Sequence, residues 1–315
     1  MRKLVGVGLM AAALAAGLVS AQTHKLTAVG ASFGDLGNPF FVAMGKGVES
    51  EAKKIGGADV KVNVQSGGYD INTQTNQIEN FIASKVDLIV LNAVDFKAMG
   101  PAVRKAKAAG IVVVAADVAV EGGTDATITS DNVNAGKLGC QYLATRLGGH
   151  GNMVIINGPP VSAVTDRVAG CKAALAKYPN LKVLSQDQNA GGSRDGGLRV
   201  MTDLLTANPK IDAVFAINDP TGIGAALAIK QANRSKQMFV VGVDGSPDAE
   251  AALKEPGSVF AATASQDPFR MAARAVDIGN QILSGKKLTN QIILVPVKLI
   301  TRGNVGSYSG WTATK

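Results

Sequence analysis

The sequence predicts an α/β fold of parallel sheets arranged in two lobes, and three observations carry that reading. Short apolar runs alternate with amphipathic segments of 11–17 residues along most of the chain, the rhythm of successive βα units. The runs lack the polar alternation of a half-exposed strand, as expected of strands covered on both faces. A stretch of the first half is also echoed in the second, which suggests two similarly built lobes.

The candidate strands, in order, are "KLTAVGAS" (25–32), "VKVNVQ" (60–65), "DLIVLN" (87–92), "IVVVAA" (111–116), "NMVIIN" (152–157), "LKVLSQ" (181–186), "DAVFAI" (212–217) and "MFVVGV" (238–243). Helical spacing of apolar residues marks 39–55, 71–84, 97–109, 133–147, 163–177, 193–207 and 221–233 between them. The echo joins "VDLIVLNAVDF…GIVVVAAD" (86–117) to "IDAVFAINDPT…QMFVVGVD" (211–244). Each copy runs through a strand to Asn, through a helix, and through a second strand to Asp. The Asn and Asp are Asn92 and Asp117 in the first copy, Asn218 and Asp244 in the second. Residues at the C-terminal ends of parallel strands face the ligand crevice. Taken singly, each of the four reads equally well as a turn former or helix cap. Four at matching positions point to a site.

Arg2 and Lys3, the apolar run from Leu4 to Val19 and the small residues before Gln22 describe a secretory signal peptide over residues 1–21. The alternative, a membrane anchor, asks for about 20 apolar residues, more than this run supplies. A mature chain from Gln22 is longer than one compact core usually supports, so two domains are expected. The net charge is +8, but the basic residues stand singly or in pairs such as Lys53-Lys54 and Lys286-Lys287. Nucleic-acid binding would gather them in one stripe. The two cysteines of the chain, Cys140 and Cys171, are expected to form a disulfide in an exported protein; two buried thiols are the alternative.

Phe40 and Phe41 stand together at a helix start. Asn38 suits the N-cap and Pro39 the first turn. Phe41, Met44, Val48, Ala52 and Ile55 form one apolar stripe at helical spacing, the core face. Phe40 lies off that stripe, free to lean over the strand end. An aromatic ring beside Asn and Asp matches a sugar, whose C–H face packs on a ring while its hydroxyls seek donors and acceptors. The bland reading places both rings in the core.

On these residues the chain resembles the type I periplasmic sugar-binding proteins, soluble receptors of ABC importers. The motifs are "NPFF" after the first strand, the two Asn/Asp echoes, "TSDN" (129–132), "DRVAGC" (166–171), "AINDPTGIGA" (216–225) and "VGVDGSPDAEAAL" (241–253). The resemblance implies two doubly wound parallel-sheet lobes joined by a three-strand hinge. One lobe would take 24–129 and 267–293, the other 130–266 and 294–315. It implies ligand contacts from Phe40, Phe41, Asn92, Asp117, Arg167, Asn218, Asp244 and Gln266. Its implied partners are a sugar or polyol and a membrane permease, with no nucleic acid, no cofactor and no metal; the receptor would be an extracytoplasmic monomer. The alternative for Arg167 is a surface helix salt bridge.

Some positions depart from the ribose type of that family. Val118 follows the first pocket Asp where Arg is common. Gly192 and Val243 stand where aromatic residues are found. The loop before "NPFF" is two residues longer and brings Asp35 toward the pocket. The pocket thus loses a cation and two rings, and Asp35 would add an acid, which points to another sugar, a polyol or a larger ligand. An enzyme finds no support: His24 and His150 are the only histidines, and no H-E-x-x-H, G-x-S-x-G or phosphate-loop motif occurs. No helix-turn-helix precedes the first strand, as a regulator of this fold would require. A sensor that presents its ligand to a chemoreceptor or histidine kinase is compatible with the same residues.

Overall fold

The computed structural model describes residues 25–311. The expected signal peptide, residues 1–21, lies outside the described residues. In chain order the first elements are β1 (Ala28–Phe33), α1 (Pro39–Gly56), β2 (Lys61–Ser66), α2 (Ile71–Ala83), β3 (Leu88–Leu91), α3 (Gly100–Ala108), β4 (Val112–Ala116) and β5 (Ala126–Ser130). There follow α4 (Asn132–Arg146), β6 (His150–Ile156), α5 (Ser162–Leu175), β7 (Asn180–Ser185), α6 (Arg194–Ala207), β8 (Ala213–Ala216), α7 (Asp219–Gln231), β9 (Phe239–Asp244), α8 (Pro247–Lys254) and β10 (Phe260–Ser265). Last come α9 (Pro268–Leu283), β11 (Ile292–Val295), β12 (Lys298–Thr301) and a 3-10 turn at Val305–Ser307.

The strands form two sheets, in the orders β11-β5-β4-β3-β1-β2 and β12-β10-β9-β8-β6-β7. The orders match strand for strand, and β3 and β4 of one sheet hold the places of β8 and β9 in the other. That correspondence is the internal echo in three dimensions. The pairings are parallel except for β10 with β12. Central strands such as β3 and β8 are buried along their whole length, as their unbroken apolar runs require.

The chain passes between the sheets after β5, after β10 and between β11 and β12. The last crossing corrects the boundary expected at 293/294, which falls inside β11. Ile292 pairs with Thr127 and Val295 with Ser130, so β11 belongs to the first sheet. The rest of the C-terminal segment follows the second lobe as expected, with β12 paired to β10 and Val305 in that core, but Trp311 at its end is buried in the first lobe's core. β11 is short, at an edge, and leaves Ile292 and Leu294 exposed, so it carries no buried-strand signature.

Local chemistry sets the helix that opens the site. Asn38 caps α1 by accepting the Phe40 amide at 3.0 Å, and Pro39 fills the first turn without wasting a donor. Phe41, Met44, Val48 and Ala52 are buried on the stripe the spacing predicts. Ile55 packs against the same core, only partly buried.

In the second lobe α4 and α5 approach closely. A Cβ at Gly136 would strike the carbonyl of Arg167, and one at Gly170 would strike that of Val133. The contact brings Cys140 and Cys171 into a disulfide with Cα atoms 5.0 Å apart, both fully buried. The bridge closes 31 residues of sequence, a span for which cross-linking stabilises by roughly 2–4 kcal/mol. The double variant Cys140→Ala/Cys171→Ala is expected to lose that much in urea unfolding while solute affinity changes less than twofold. A large loss of affinity would show that the α4–α5 pair shapes the site.

Candidate functional site

The C-terminal ends of the strands from both sheets face one cleft, a cavity of about 110 Å3. β3 delivers Asn92 and β4 delivers Asp117; β8 leads to Asn218 and β9 ends on Asp244. All four line the cavity, with Arg167 from α5, Gln266 from the crossing after β10, and Phe40 and Phe41 from α1. The eight residues thus come together from separate elements of both lobes.

Three of the residues lining this cleft share an uncommon backbone. Asp117 has φ 71°, Asp244 φ 135° and Tyr69 φ 54°. Positive φ in such residues costs on the order of 1–3 kcal/mol and persists where the surroundings hold it. For Asp117 those surroundings are visible. Its amide donates to the Ile128 carbonyl at 2.8 Å, and its carbonyl accepts from Thr129 Oγ1 at 2.6 Å.

The polar side chains are threaded together. Asn92 Nδ2 donates to Asp117 Oδ2 at 3.0 Å and to the Ala116 carbonyl at 3.3 Å. Gln266 Nε2 donates to Asp244 Oδ1 at 2.7 Å. Arg167 donates from Nε to Asn132 Oδ1 and from Nη1 to the Ile217 carbonyl, each at 2.9 Å. Nη1 also lies 3.5 Å from Asp244 Oδ1. Arg167 is thus a buried cleft cation, not a surface salt bridge. Asn218 combines its two readings: it lines the cleft and caps α7, accepting the Thr221 amide at 3.0 Å while Nδ2 donates to the Gly192 carbonyl. Two buried acceptors, Asp117 Oδ1 and Gln266 Oε1, have no partner.

Burial pushes the Asp117 carboxyl up to about 6; Asp244 adds to the rise, while Arg167 and Asn92 oppose it. Burial likewise pushes Asp244 up to about 6 against the pull of Arg167 and Gln266. Behind the lining lies Asp219, which the sequence reading did not single out. It accepts Thr263 Oγ1 at 2.7 Å and the Ser246 amide at 2.8 Å. Burial, then the neighbouring Asp244, holds its carboxyl well above the usual range.

The aromatic wall is larger than expected. Phe41 stacks on Phe33 with centroids 6.4 Å apart and meets Tyr69 edge-on at 6.3 Å. Phe40 meets Phe41 at 5.5 Å and Trp311 at 5.6 Å, both edge to face. Both phenylalanines therefore belong to the core and to the cleft at once. Tyr69 and Asn38 also line the cavity. Tyr69 follows a Gly-Gly pair beyond β2, a strand-end position of the kind that yielded Asn92.

Two expectations are corrected. Asp35 is not among the lining residues; its Oδ1 accepts the Gly37 amide at 2.9 Å and its carbonyl accepts that of Asn38. It is a turn former, because the longer loop folds on itself. Val243 is buried in the second-lobe core, not on the cleft, since neighbours along a strand face opposite sides. Val118 and Gly192 do line the cleft.

Residues 29–287 match the periplasmic binding protein domain family. The chain is 36% identical over 276 residues to the ribose import binding protein RbsB of Bacillus subtilis, covering 87% of each chain. It is 32% identical over 306 residues to the xylitol-binding protein of Mycolicibacterium smegmatis, covering 96% of this chain and 84% of that one. A solved ABC transporter solute-binding protein from Bacillus halodurans with bound myo-inositol aligns with TM-score 0.82 and 28% identity, over 90% of this chain and 97% of that one. Another from Actinobacillus succinogenes with bound D-allose aligns with TM-score 0.81 and 29% identity, over 90% of this chain and all of that one. These relatives are binding proteins rather than enzymes. With its paired sheets and converging strand ends, the chain belongs to the periplasmic binding protein family, as a type I sugar-binding protein of the ABC-transporter solute-binding class.

Proposed function

We propose that this protein is the extracytoplasmic receptor of an ABC importer, a monomer that captures a monosaccharide or polyol in the interlobe cleft, closes about its hinge and delivers the solute to a membrane permease. One observation carries the reading: acceptors and donors from the strand ends of both sheets meet two aromatic rings in one buried cleft, where Asp117 Oδ1 and Gln266 Oε1 await donors. Relatives that bind ribose, xylitol, myo-inositol and D-allose support it.

Each residue has a role in that reading. Asp117 and Asp244 accept hydroxyl protons, and Arg167 donates to a ring oxygen or hydroxyl. Asn92 and Gln266 supply amide groups, and Asn218 keeps one amide hydrogen and one lone pair beyond its cap bonds. Phe40 and Phe41 pack on the C–H faces of the solute. Hydrogen bonds to charged groups contribute about 1.5–3 kcal/mol each, so a few of them offset the cost of ordering two lobes. Contacts from both lobes coexist only when the cleft is shut, so binding shifts the hinge equilibrium.

Thermal-shift screening against pentoses, hexoses, reduced sugars and inositols tests the solute class. A true ligand at a hundred times its Kd adds about 2.7 kcal/mol of stability. X-ray scattering then tests closure: the radius of gyration is expected to fall at saturation. Dimensions that stay constant with a bound ligand would rule out the hinge mechanism, and silence across the whole panel would rule out the receptor reading.

A further inference from the structure

The charges of the cleft do not balance. Among its lining residues the carboxyls and the cations are Asp117, Asp244 and one guanidinium, Arg167. Val118 adds no compensating charge beside Asp117. Arg167 bonds Asn132 and the Ile217 carbonyl and pairs with Asp244, and it acts on Asp117 only through its field. No ion pair among the described residues reaches Asp117, which is 7% exposed and leaves Oδ1 without a partner. The other unpartnered atom on the cleft lining, Gln266 Oε1, is likewise an acceptor. Asp219 stands directly behind Asp244, its main-chain amide 3.3 Å from Asp244 Oδ2, and adds no cation. A buried charge is tolerated when it is paired. The unmet need of this buried cleft is therefore a positively charged donor.

We propose, building on the receptor reading above, that the cleft selects a sugar or polyol carrying a protonated amine, seated against the Asp117 carboxylate and within reach of Gln266 Oε1. The ammonium supplies three donors and one charge to acceptors that have neither. A neutral polyol donates to the same oxygens but leaves the carboxylate uncompensated in a closed site. The shifts of the acids fit this arrangement: burial without a full complement of cations raises Asp117 and Asp244 to about 6.

Matched pairs test the idea by calorimetry on the mature chain at pH 7.5: D-glucosamine against D-glucose, D-galactosamine against D-galactose, and glucamine against sorbitol. At least one amine is expected to bind tenfold or more tightly than its hydroxyl counterpart. Asp117→Asn, which keeps the shape and removes the charge, is expected to bring that ratio to within about threefold of unity. The unmodified protein gives a second readout. The charged groups acting on Asp117 are Arg167 and Asp244, with Asp219 buried behind Asp244 and the Tyr69 hydroxyl also on the cleft lining. As pH falls from 7.5 to 5 the carboxylates take up protons, so amine affinity is expected to drop at least threefold while that of a neutral partner does not. A neutral member that binds as tightly as its amine in every pair overturns the inference and leaves the receptor reading standing. So does a preference that survives Asp117→Asn. Silence from all three pairs also overturns it; silence from the wider sugar and polyol panel removes the receptor reading too.

Discussion

Arg167→Met is expected to abolish solute binding and to lower stability by about 3–5 kcal/mol, the cost of leaving a buried charge without its partner. Arg167 is 4% exposed and joins four groups: Asn132, the Ile217 carbonyl, Asp244 and, through its field, Asp117. Methionine fills similar volume but donates nothing. Asn132 Oδ1 and the Ile217 carbonyl each lose a donor, and both carboxylates lose the cation that holds them down. Their pKa values then rise further. A carboxyl whose folded pKa lies above its unfolded value contributes stability that is present at low pH and lost as pH climbs through the folded pKa. The unaltered protein is thus expected to lose stability between about pH 4 and 6 from these two groups. In the variant that loss extends toward neutrality and grows larger. Urea unfolding at pH 5 and pH 8 reads both effects. Arg167→Lys keeps a charge without the planar fork and is expected to fall between the two. Equal stability of the methionine variant and the parent at pH 8 would refute the account of Arg167 as the counter-ion of the cleft.

The parts of this architecture that the sequence displays are those where burial leaves no choice. β3, β4, β8 and β9 are uninterrupted apolar runs because both faces are covered, and their ends, Asn92, Asp117, Asn218 and Asp244, mark the cleft through position alone. β11 and β12 are different. They are edge strands with exposed residues, so their pattern resembles that of a loop and does not mark the third crossing. β5 and β10 carry Thr and Ser among small residues and give an equally weak signal. In the site, Asp35 shows the limit of reasoning from proximity: two extra loop residues bring an acid near the cleft in sequence, but a hydrogen bond to Gly37 turns it away. Asp219 eluded the reading because an Asp following an N-cap Asn looks like an ordinary first-turn acid. Only the packing reveals it as a buried neighbour of Asp244.

Trp311 is the contact that no local pattern announces, 67 residues from the group it touches, and its removal is the second large effect expected. The segment that carries it hangs from the second lobe: Val305 is buried there, and Tyr308 Oη donates to the Gly245 carbonyl at 2.9 Å. The indole Nε1 donates to the Asp244 carbonyl at 2.9 Å, while its ring meets Phe40 of the first lobe edge to face. Trp311 thus ties the main chain of one pocket acid to an aromatic ring of the opposite lobe. Trimming a buried tryptophan to alanine costs about 3–5 kcal/mol. The part that depends on closure is the hydrogen bond and the edge contact, together about 1–3 kcal/mol. Trp311→Ala is therefore expected to weaken solute binding roughly 5- to 150-fold and to lower the melting temperature of the ligand-bound form more than that of the free form. Trp311→Phe keeps a ring and loses only the donor, so its effect on affinity is expected to be smaller. Because Trp311 is the single tryptophan of the chain, emission reports on this contact without labelling. Saturating ligand is expected to shift the spectrum as the indole is drawn between the lobes. An unchanged spectrum together with full affinity in the alanine variant would show that Trp311 packs alike in both states and takes no part in closure.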